Sequence, residues 1–371
     1  GGSMNQGRLY FGNVNFLRAV AAILVLVYHV IELTQWHNFP AAWPYRTFYL
    51  GWLGVDLFFV ISGFVIGLAA IKVYRESDGS YRRSFMKRRL ARIVPLYLFT
   101  AVVFLFFIEP GLLQMKFKTL MAHVFAHLGF VHNWFYKTHG SINGPNWSVA
   151  VEMQFYLLAI LFAPVLSKVK PWKLLFWGIV LAWLTRFAAF WWTMDRGDSH
   201  RTFIFSSQVP GNADQFAFGI FLSRLYLDGT LKEWAQRWQG RGHWILFAGV
   251  VAIGTAALLT TFQFWPGGTY WKNVYMVTFW RTGVAVSFAM LVALFCLLPD
   301  LSRSWYFQPL NYLGEISYGI YLWHLPVILS LKRVLPPDDR FLLLKMSVIL
   351  TLILASLSWH LIEKPVMQRF R

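Results

Sequence analysis

Ten apolar runs follow one another along the 371-residue chain, and a membrane-spanning helix needs about 20 mostly apolar residues. They cover residues 14–33, 49–71, 93–109, 147–167, 174–193, 212–227, 243–262, 274–298, 308–330 and 341–361. Charged residues make up only 13% of the chain. So much apolar length cannot be buried inside one water-soluble domain. The sequence therefore predicts an all-α, polytopic transmembrane protein of about ten helices.

The positive charges indicate how these helices are oriented. A formal net charge of +18 would suggest a nucleic-acid partner in a soluble protein. Here the Lys and Arg residues concentrate in short connections, above all in residues 72–92. Short cytoplasmic loops are enriched in Lys and Arg. We therefore expect both termini in the cytoplasm, contacts with membrane lipids and no nucleic-acid partner.

The chain is expected to form one membrane domain. Gly1, Gly2 and Ser3 before Met4 are typical of a cloning remnant, so residues 1–13 are assigned to that remnant and an N-terminal tail. Residues 14–363 form the transmembrane domain, and residues 364–371 form a cytoplasmic tail. No cleavage site follows the first apolar run, which is interpreted as a retained helix.

Arg18 and His29 lie on one face of the first helix. Their separation of eleven residues leaves them roughly 20° apart around a helix and roughly 16 Å apart along it. An ionisable residue within an apolar span is costly in lipid and commonly serves a function. The pair therefore predicts a polar path along this helix.

Several titratable residues are expected in the outer half of the membrane, near His29. A histidine beside a carboxylate can act as a general base, because the carboxylate orients the ring and stabilises its protonated form. Glu152 is the leading partner predicted for His29, and Glu32 and Asp56 are competing partners. The alternative is that these residues are polar packing groups bonded between helices.

Three further residues at this depth are candidates for catalytic support. Tyr318 and His324, on the helix over 308–330, are candidates to stabilise an oxyanion, although no sequence signature assigns that role. Ser148 is a candidate nucleophile without a base at a fixed offset. Asn146 is placed to cap the helix that follows it.

An arginine cluster is predicted at the opposite, cytoplasmic boundary. Arg88, Arg89 and Arg92 are expected to surround the start of the third helix, where free N–H groups and the helix dipole favour anions. Arginine also binds phosphate through two hydrogen bonds. These residues predict a phosphate-binding site, and simple positive-inside anchoring is the alternative.

No metal site is predicted. Residues 110–146 contain His123, His127, His132 and His139, which are expected to be surface or interfacial residues. His123 and His127 are spaced for one face of a helix, but no third ligand is identifiable. Cys296 is the single cysteine, which excludes an intramolecular disulfide.

The ordered motifs resemble the membrane acyltransferase-3 family over nearly the whole chain. Each motif alone is a weak signal, but three together are specific: the Arg-x10-His of Arg18 and His29, the Arg-x2-Arg of Arg89 and Arg92, and the Trp-Ser-x3-Glu ending at Glu152. Supporting stretches are Gly54-Val-Asp-Leu-Phe-Phe-Val-Ile-Ser-Gly-Phe64, Ser317-Tyr-Gly-Ile-Tyr-Leu-Trp-His324 and Glu363-Lys-Pro365.

This resemblance implies a bacterial inner-membrane O-acyltransferase. Such an enzyme takes an acyl group from cytoplasmic acyl-CoA, as acetyl-CoA or succinyl-CoA, and delivers it to an extracytoplasmic carbohydrate. Acyl-CoA would be a donor substrate, with no permanently bound cofactor. By motif, Arg18 and His29 would be essential, Arg89 and Arg92 would act at the donor site, and Glu152 would belong to the catalytic centre.

Two mechanisms and one other function are considered. Transfer could be direct or could pass through an acyl-histidine intermediate. Some relatives carry an added esterase-type domain, and because this sequence ends at Arg371 we expect transfer to be completed within the membrane domain. The alternative function is a transporter or flippase whose buried charges line a substrate or proton path. The acceptor sugar and the oligomeric state are not specified by the sequence.

Overall fold

The computed structural model describes residues 3–5, 8–10, 12–40, 42, 45–77, 79–264 and 266–370. Gly1 and Gly2 of the expected cloning remnant and Arg371 of the expected tail lie outside these described residues. An antiparallel pair of short strands, β1 (Ser3–Asn5) and β2 (Arg8–Tyr10), precedes the helices. The rest of the described chain is overwhelmingly helical, as the sequence predicts.

The helices are bounded as follows. They are α1 Gly12–Leu33, α2 Gly54–Glu76, α3 Tyr81–Val103, α4 Phe117–Leu128, α5 Trp147–Leu161, α6 Ala163–Lys168, α7 Pro171–Thr193, α8 Ser199–Ser206, α9 Ala213–Leu227, α10 Thr230–Arg237, α11 Gly242–Phe264, α12 Arg281–Leu297, α13 Gln308–Glu315, α14 Ser317–Val334, α15 Arg340–Ser358 and α16 Lys364–Arg369. Wider π turns extend α3 over Phe104–Ile108, precede α12 over Met276–Trp280 and follow α15 over Trp359–Glu363.

Seven helical segments in the described chain are long and apolar enough to cross a membrane. They are Gly12–Leu33, Thr47–Glu76, Tyr81–Ile108, Pro171–Arg196, Gly242–Phe264, Met276–Leu297 and Arg340–Arg369. The predicted spans over 147–167, 212–227 and 308–330 are not among them. They correspond to α5 and α9, of 15 residues each, and to α14, whose last turn contains Lys332 and Arg333. Two of these three helices, α5 and α14, carry candidate site residues, and α9 carries the buried Asp214 and Gln215. A buried helix can replace lipid contacts with polar partners.

The chain divides into two compact units, each built from separate stretches of sequence. Unit 1 contains Gly1–Asn15, Asp56–Arg82 and Phe155–Asn311. Unit 2 contains Phe16–Val55, Arg83–Gln154 and Tyr312–Arg371. Most of α1 and the whole of α14 therefore belong to unit 2.

Close backbone contact between α2 and α9 organises unit 1. A Cβ atom added at Gly63 would lie 2.3 Å from the carbonyl oxygen of Phe216, and one added at Gly219 would lie 2.3 Å from that of Val60. Small residues at helix crossings let two backbones approach in this way. Both positions require glycine because no other residue lacks a Cβ atom.

Apolar side chains hold α1 against α14 and α15 in unit 2. A buried cluster combines Val30 and Ile31 of α1 with Ile328 of α14 and Leu343 of α15. The Lys332 ammonium group also donates a 2.7 Å hydrogen bond to the carbonyl oxygen of Leu33, at the end of α1. These contacts bring the C-terminal half of α1 beside the C-terminal half of α14.

Candidate functional site

Two histidines from distant parts of the chain meet in unit 2. His29 of α1 and His324 of α14 place Nδ1 and Nε2, respectively, 3.0 Å apart. His29 Nδ1 is also 3.0 Å from the carbonyl oxygen of Val25, one turn earlier in α1. His324 Nδ1 is hydrogen-bonded to the carbonyl oxygen of Tyr321. The His324 side chain is fully enclosed at 0% exposure, whereas His29 is half-buried.

A hydroxyl cluster lies one turn of α14 before His324. The hydroxyl groups of Tyr321 and Ser148 are 2.5 Å apart. Both are within hydrogen-bond distance of the carbonyl oxygen of Pro145, at 2.8 Å and 3.0 Å. No histidine or carboxylate among the described residues hydrogen-bonds to Ser148, so the structure does not supply the base that a serine nucleophile needs.

Two asparagines before α5 have unpaired side-chain atoms. Asn143 Nδ2 donates a 2.9 Å hydrogen bond to the carbonyl oxygen of Leu322, but its Oδ1 has no partner among the described residues. Asn146 is fully buried, and neither of its side-chain atoms is hydrogen-bonded there. The prediction that Asn146 caps the helix is therefore wrong. The short 3-10 turn Gly144–Asn146 leads into α5 without a side-chain cap.

The predicted carboxylate partners of His29 have other neighbours. Within the described chain His29 is hydrogen-bonded to Val25 and His324, and not to Glu152, Glu32 or Asp56. Glu152 is half-buried on α5, close enough to Tyr321 for its charge to act on that phenol. Glu32 is exposed and accepts a hydrogen bond from Tyr28. The structure thus brings His324, rather than a carboxylate, into direct contact with His29.

Asp56 is held in an ion pair within unit 1. Its Oδ1 lies 2.5 Å from Nη2 of Arg281, a residue that belongs to none of the predicted motifs. The same Nη2 donates to Asn212 Oδ1 at 2.6 Å and lies 3.3 Å from Gln215 Oε1. Sequence reasoning missed Arg281, although a lone arginine inside the apolar run 274–298 was a signal that a buried partner existed.

A second buried ion pair lies in the same unit. The Arg186 guanidinium contacts the Asp214 carboxylate, and both side chains have 0% exposure. The Thr282 hydroxyl donates to Asp214 at 2.7 Å and accepts from Trp183 Nε1 at 2.9 Å. Thr282 adjoins Arg281 in sequence, so the two ion pairs form one buried region.

The three arginines of the predicted phosphate site lie inside α3 and not at its start. The helix begins at Tyr81, seven residues before Arg88, which is roughly 10 Å along the axis. The prediction that the N–H groups and dipole at the start of this helix contribute to phosphate binding is therefore wrong. All three side chains are half-buried. Any phosphate binding by Arg88, Arg89 and Arg92 must come from the guanidinium groups themselves.

Local contacts hold these guanidinium groups. Arg88 Nε donates to the carbonyl oxygen of Ser84 at 3.4 Å, and the Arg89 guanidinium lies 5.7 Å from the centroid of the Phe85 ring. Arg92 is close enough to Glu363 for the two charges to interact, and Glu363 is only 2% exposed. Sequence reasoning treated Glu363 only as part of a motif.

Arg18 and Tyr318 lie on two different helices of unit 2, α1 and α14. Arg18 is half-buried on α1. The Tyr318 hydroxyl donates a 2.8 Å hydrogen bond to the carbonyl oxygen of Ile93 in α3, next to Arg92. Its donor hydrogen is therefore already used, which disfavours Tyr318 as an oxyanion donor.

The four histidines of residues 110–146 are buried, so the prediction of surface or interfacial positions is wrong. His123, His127, His132 and His139 are between 0% and 6% exposed. The rings of His127 and His132 stack with centroids 4.0 Å apart. The end of α4 packs against α3, where Tyr97 donates to the carbonyl oxygen of His127 at 2.7 Å.

Burial governs the protonation of the stacked pair. Desolvation lowers the pKa of His127 to about 4 and that of His132 to about 3. Both rings are therefore neutral at pH 7. In the part of the chain that the structure describes, no group of three or more His, Cys, Asp or Glu residues is arranged to hold a metal ion.

Comparison with known proteins identifies the family. The family described as an acyltransferase domain, acyltransferase-3, matches residues 11–360. The chain belongs to this family. The match includes α1, α3, α5 and α14, which carry His29, the arginines, Glu152 and His324. Together with the apolar helices, it establishes a multi-pass membrane protein of the acyltransferase-3 family.

The chain is also similar to curated proteins from Listeria monocytogenes, Bacillus subtilis and Staphylococcus aureus. It is 30% identical to the peptidoglycan O-acetyltransferase OatA of Listeria monocytogenes and 28% identical to the putative peptidoglycan O-acetyltransferase YrhL of Bacillus subtilis. It is 25% identical to the O-acetyltransferase OatA of Staphylococcus aureus. Each alignment covers 97% of this chain but only 55% to 58% of the relative. The chain thus spans about half the length of these relatives. No solved structure matches it.

Proposed function

We propose that this acyltransferase-3 protein is an acyl-CoA-dependent O-acyltransferase of the bacterial inner membrane. It would transfer an acyl group to a hydroxyl of an extracytoplasmic glycan. Acetyl is the first acyl group to test, and succinyl is the second. The observation that carries the proposal is the His29 and His324 pair, enclosed by apolar helices in a chain of an acyltransferase family. An imidazole in that setting is suited to remove a hydroxyl proton.

The donor is proposed to bind from the cytoplasmic side. The phosphates of acyl-CoA would contact Arg88, Arg89 and Arg92, whose guanidinium groups supply positive charge on one stretch of α3. The extended pantetheine arm would pass Arg18 and present the thioester to His29. About 16 Å of helix separates Arg18 from His29, a distance that such an arm can cover.

The chemical step is proposed to be direct attack. The glycan oxygen forms a bond to the thioester carbonyl carbon while His29 accepts the hydroxyl proton. The carbon–sulfur bond then breaks, and the proton passes from His29 to the departing CoA thiolate. Glu152, one turn after Ser148 on α5, would contribute negative charge near the centre. An acyl-histidine intermediate would divide the same transfer into two steps.

The acceptor is proposed to be a cell-wall glycan. Two of the relatives are named for their acceptor: OatA of Listeria monocytogenes as a peptidoglycan O-acetyltransferase and YrhL of Bacillus subtilis as a putative one. Peptidoglycan fragments are therefore the first acceptors to test.

The test uses the full chain, purified and reconstituted in lipid nanodiscs. We expect release of CoA from acetyl-CoA to require soluble peptidoglycan fragments, and mass spectrometry to find O-acetylated fragments. Release of CoA without any modified glycan, or no release with any acyl-CoA, would contradict the proposal. Transport of glycan without acylation would favour the flippase.

Arginine variants test the donor site. Arg89→Ala or Arg92→Ala should raise the KM for acetyl-CoA about tenfold or more, because each removes a charge-assisted contact to phosphate. Arg83→Ala is the matched control, since Arg83 is exposed on the same helix. An unchanged KM in both test variants would exclude these arginines from the donor site.

A further inference from the structure

We infer that His324 is the positioning residue that fixes the tautomer and orientation of His29, so that His29 Nε2 is the basic atom of the site. A neutral histidine would thus take the place that a carboxylate was expected to fill. This inference rests on the proposed function for its catalytic meaning. Its structural part rests only on the hydrogen bonds of α1 and α14.

The protonation of His324 follows from its backbone partner. A carbonyl oxygen can only accept a hydrogen bond, so His324 Nδ1, bonded to the Tyr321 carbonyl, carries a hydrogen. The neutral ring then has a lone pair on Nε2, the atom that faces His29.

The protonation of His29 follows from the same rule. Its Nδ1 lies 3.0 Å from the carbonyl oxygen of Val25 and therefore carries a hydrogen. That hydrogen is shared with the lone pair of His324 Nε2, also 3.0 Å away. A hydrogen on His324 Nε2 would place two N–H groups face to face. The bonding pattern is consistent only with a neutral His324 that accepts from His29.

The basic atom of the pair is consequently His29 Nε2. With Nδ1 protonated, the lone pair of neutral His29 lies on Nε2. The opposite tautomer would direct a bare Nδ1 at the lone pairs of both the Val25 carbonyl and His324. Two acceptor–acceptor repulsions therefore disfavour it.

Burial distinguishes the two histidines. His29 is half-buried and keeps some exposed surface, whereas His324 has 0% exposure and can act only through a neighbour such as His29. When His29 accepts the hydroxyl proton, its Nδ1–H bond to His324 becomes charge-assisted and stronger. This stabilises protonated His29 without requiring a formal charge on its direct hydrogen-bond partner.

The first experiment measures the tautomer without reference to activity. The full chain, labelled with ¹⁵N-histidine in nanodiscs, would be studied by solid-state NMR at pH 7.5, with His29→Asn used to assign the His29 signals. We expect one His29 species with hydrogen on Nδ1. In His324→Leu, a second species with hydrogen on Nε2 should appear. A wild-type His29 that carries its hydrogen on Nε2 would overturn the inference.

The second experiment separates positioning from folding. His324→Leu should lower kcat about 10- to 100-fold, as the loss of an orienting partner commonly does, with KM for acetyl-CoA within about twofold. His324→Gln, whose amide oxygen can accept from Nδ1, should recover at least about a third of wild-type kcat. His243→Leu is the matched control, because it removes a histidine bonded to the Leu297 carbonyl in unit 1.

The outcomes distinguish the inference from the proposed function. Full activity in His324→Leu, or equal losses in the Leu and Gln variants, would overturn the positioning role. If wild-type protein transfers no acyl group, the proposed function fails, and the NMR result still decides the tautomer. Unfolding temperatures of all variants identify any loss that comes from misfolding.

Discussion

The two units solve the problem of buried polar groups in different ways. In unit 1, Asp56 meets Arg281 and Asp214 meets Arg186, so each buried charge faces an opposite one. In unit 2, the central pair consists of two imidazoles that can both be neutral. Paired charges hold helices in place, whereas a neutral imidazole with an available lone pair can accept a proton. Under the proposed function, the unit 1 cluster would support the helices and the histidine pair of unit 2 would carry the chemistry.

The largest expected effect is the loss of kcat when the proposed base of unit 2 is removed. His29→Ala should lower kcat about 10²- to 10⁴-fold, the usual contribution of a general base, while the unfolding temperature changes little. Initial rates of CoA release and thermal melts measure the two effects.

The control for this variant is His37→Ala, which removes an exposed histidine just beyond α1. Retention of more than about a tenth of wild-type activity in His29→Ala would exclude His29 as the base. The proposed assignment of chemistry to unit 2 would then fail.

The next effect tests unit 1. Arg281→Leu should destabilise the protein by about 3–5 kcal/mol, because it leaves the Asp56 carboxylate buried without its partner. The double variant Asp56→Leu with Arg281→Leu should recover much of that loss, since it buries no charge. Thermal or denaturant unfolding in nanodiscs measures both.

The double variant also tests the sequence-based role of Asp56. We expect the double variant to transfer acyl groups at a rate comparable to that of wild type, because Asp56 would then only stabilise the helices and take no part in the reaction. A stable but inactive double variant would show that Asp56 takes part in the reaction after all.

A pH effect tests the buried histidines of unit 2. The folded-state pKa values of His127 and His132, about 4 and about 3, lie below the ordinary value of about 6.5. The unfolded state therefore binds more protons as the pH falls, and stability present above pH 6.5 should decline toward pH 4. Melting temperatures between pH 8 and pH 4 measure the decline.

His127→Phe keeps an aromatic ring against His132 and removes one titrating group. Its melting temperature should depend less steeply on pH than that of wild type. An equal slope in the two proteins would assign the acid sensitivity to other groups.

The smallest effect concerns Asn146. Because both polar atoms of its buried side chain lack partners among the described residues, Asn146→Leu should raise stability by about 1 kcal/mol. Asn212→Leu is the contrasting variant in unit 1, where the side chain binds Arg281 and the Ser207 carbonyl, and it should destabilise. A destabilised Asn146→Leu would indicate a bound partner for that amide, such as an internal water.

Much of the helical framework was predictable from the sequence. The apolar runs located the helices, and the spacing of Arg18 and His29 placed both on α1. The start of α3 was missed because the charged residues 81–92 were interpreted as a loop. Lys and Arg are good helix formers, so a helix can continue past its apolar part into water.

The partners within the site were less predictable. His29 and His324 were both singled out, but sequence gives no distances between different helices, and a carboxylate was the expected neighbour. Asp56 was considered for His29 because both residues were expected in the outer half of the membrane. Its actual ion partner, Arg281, lies 225 residues away in the sequence and was not considered. The buried state of His127 and His132 depends on how the connection after α4 folds, which periodicity does not report.

The close backbone contact at Gly63 and Gly219 limits which substitutions this sequence can accept during evolution. These positions contribute no chemical group, yet they sit on the helices that supply Asp56 and Asp214. A single methyl group there would push the helices apart and shift residues one to two turns away, Asp56 and Asp214 among them. Two sites that a mutational survey of functional groups would skip are therefore among the least replaceable in the protein.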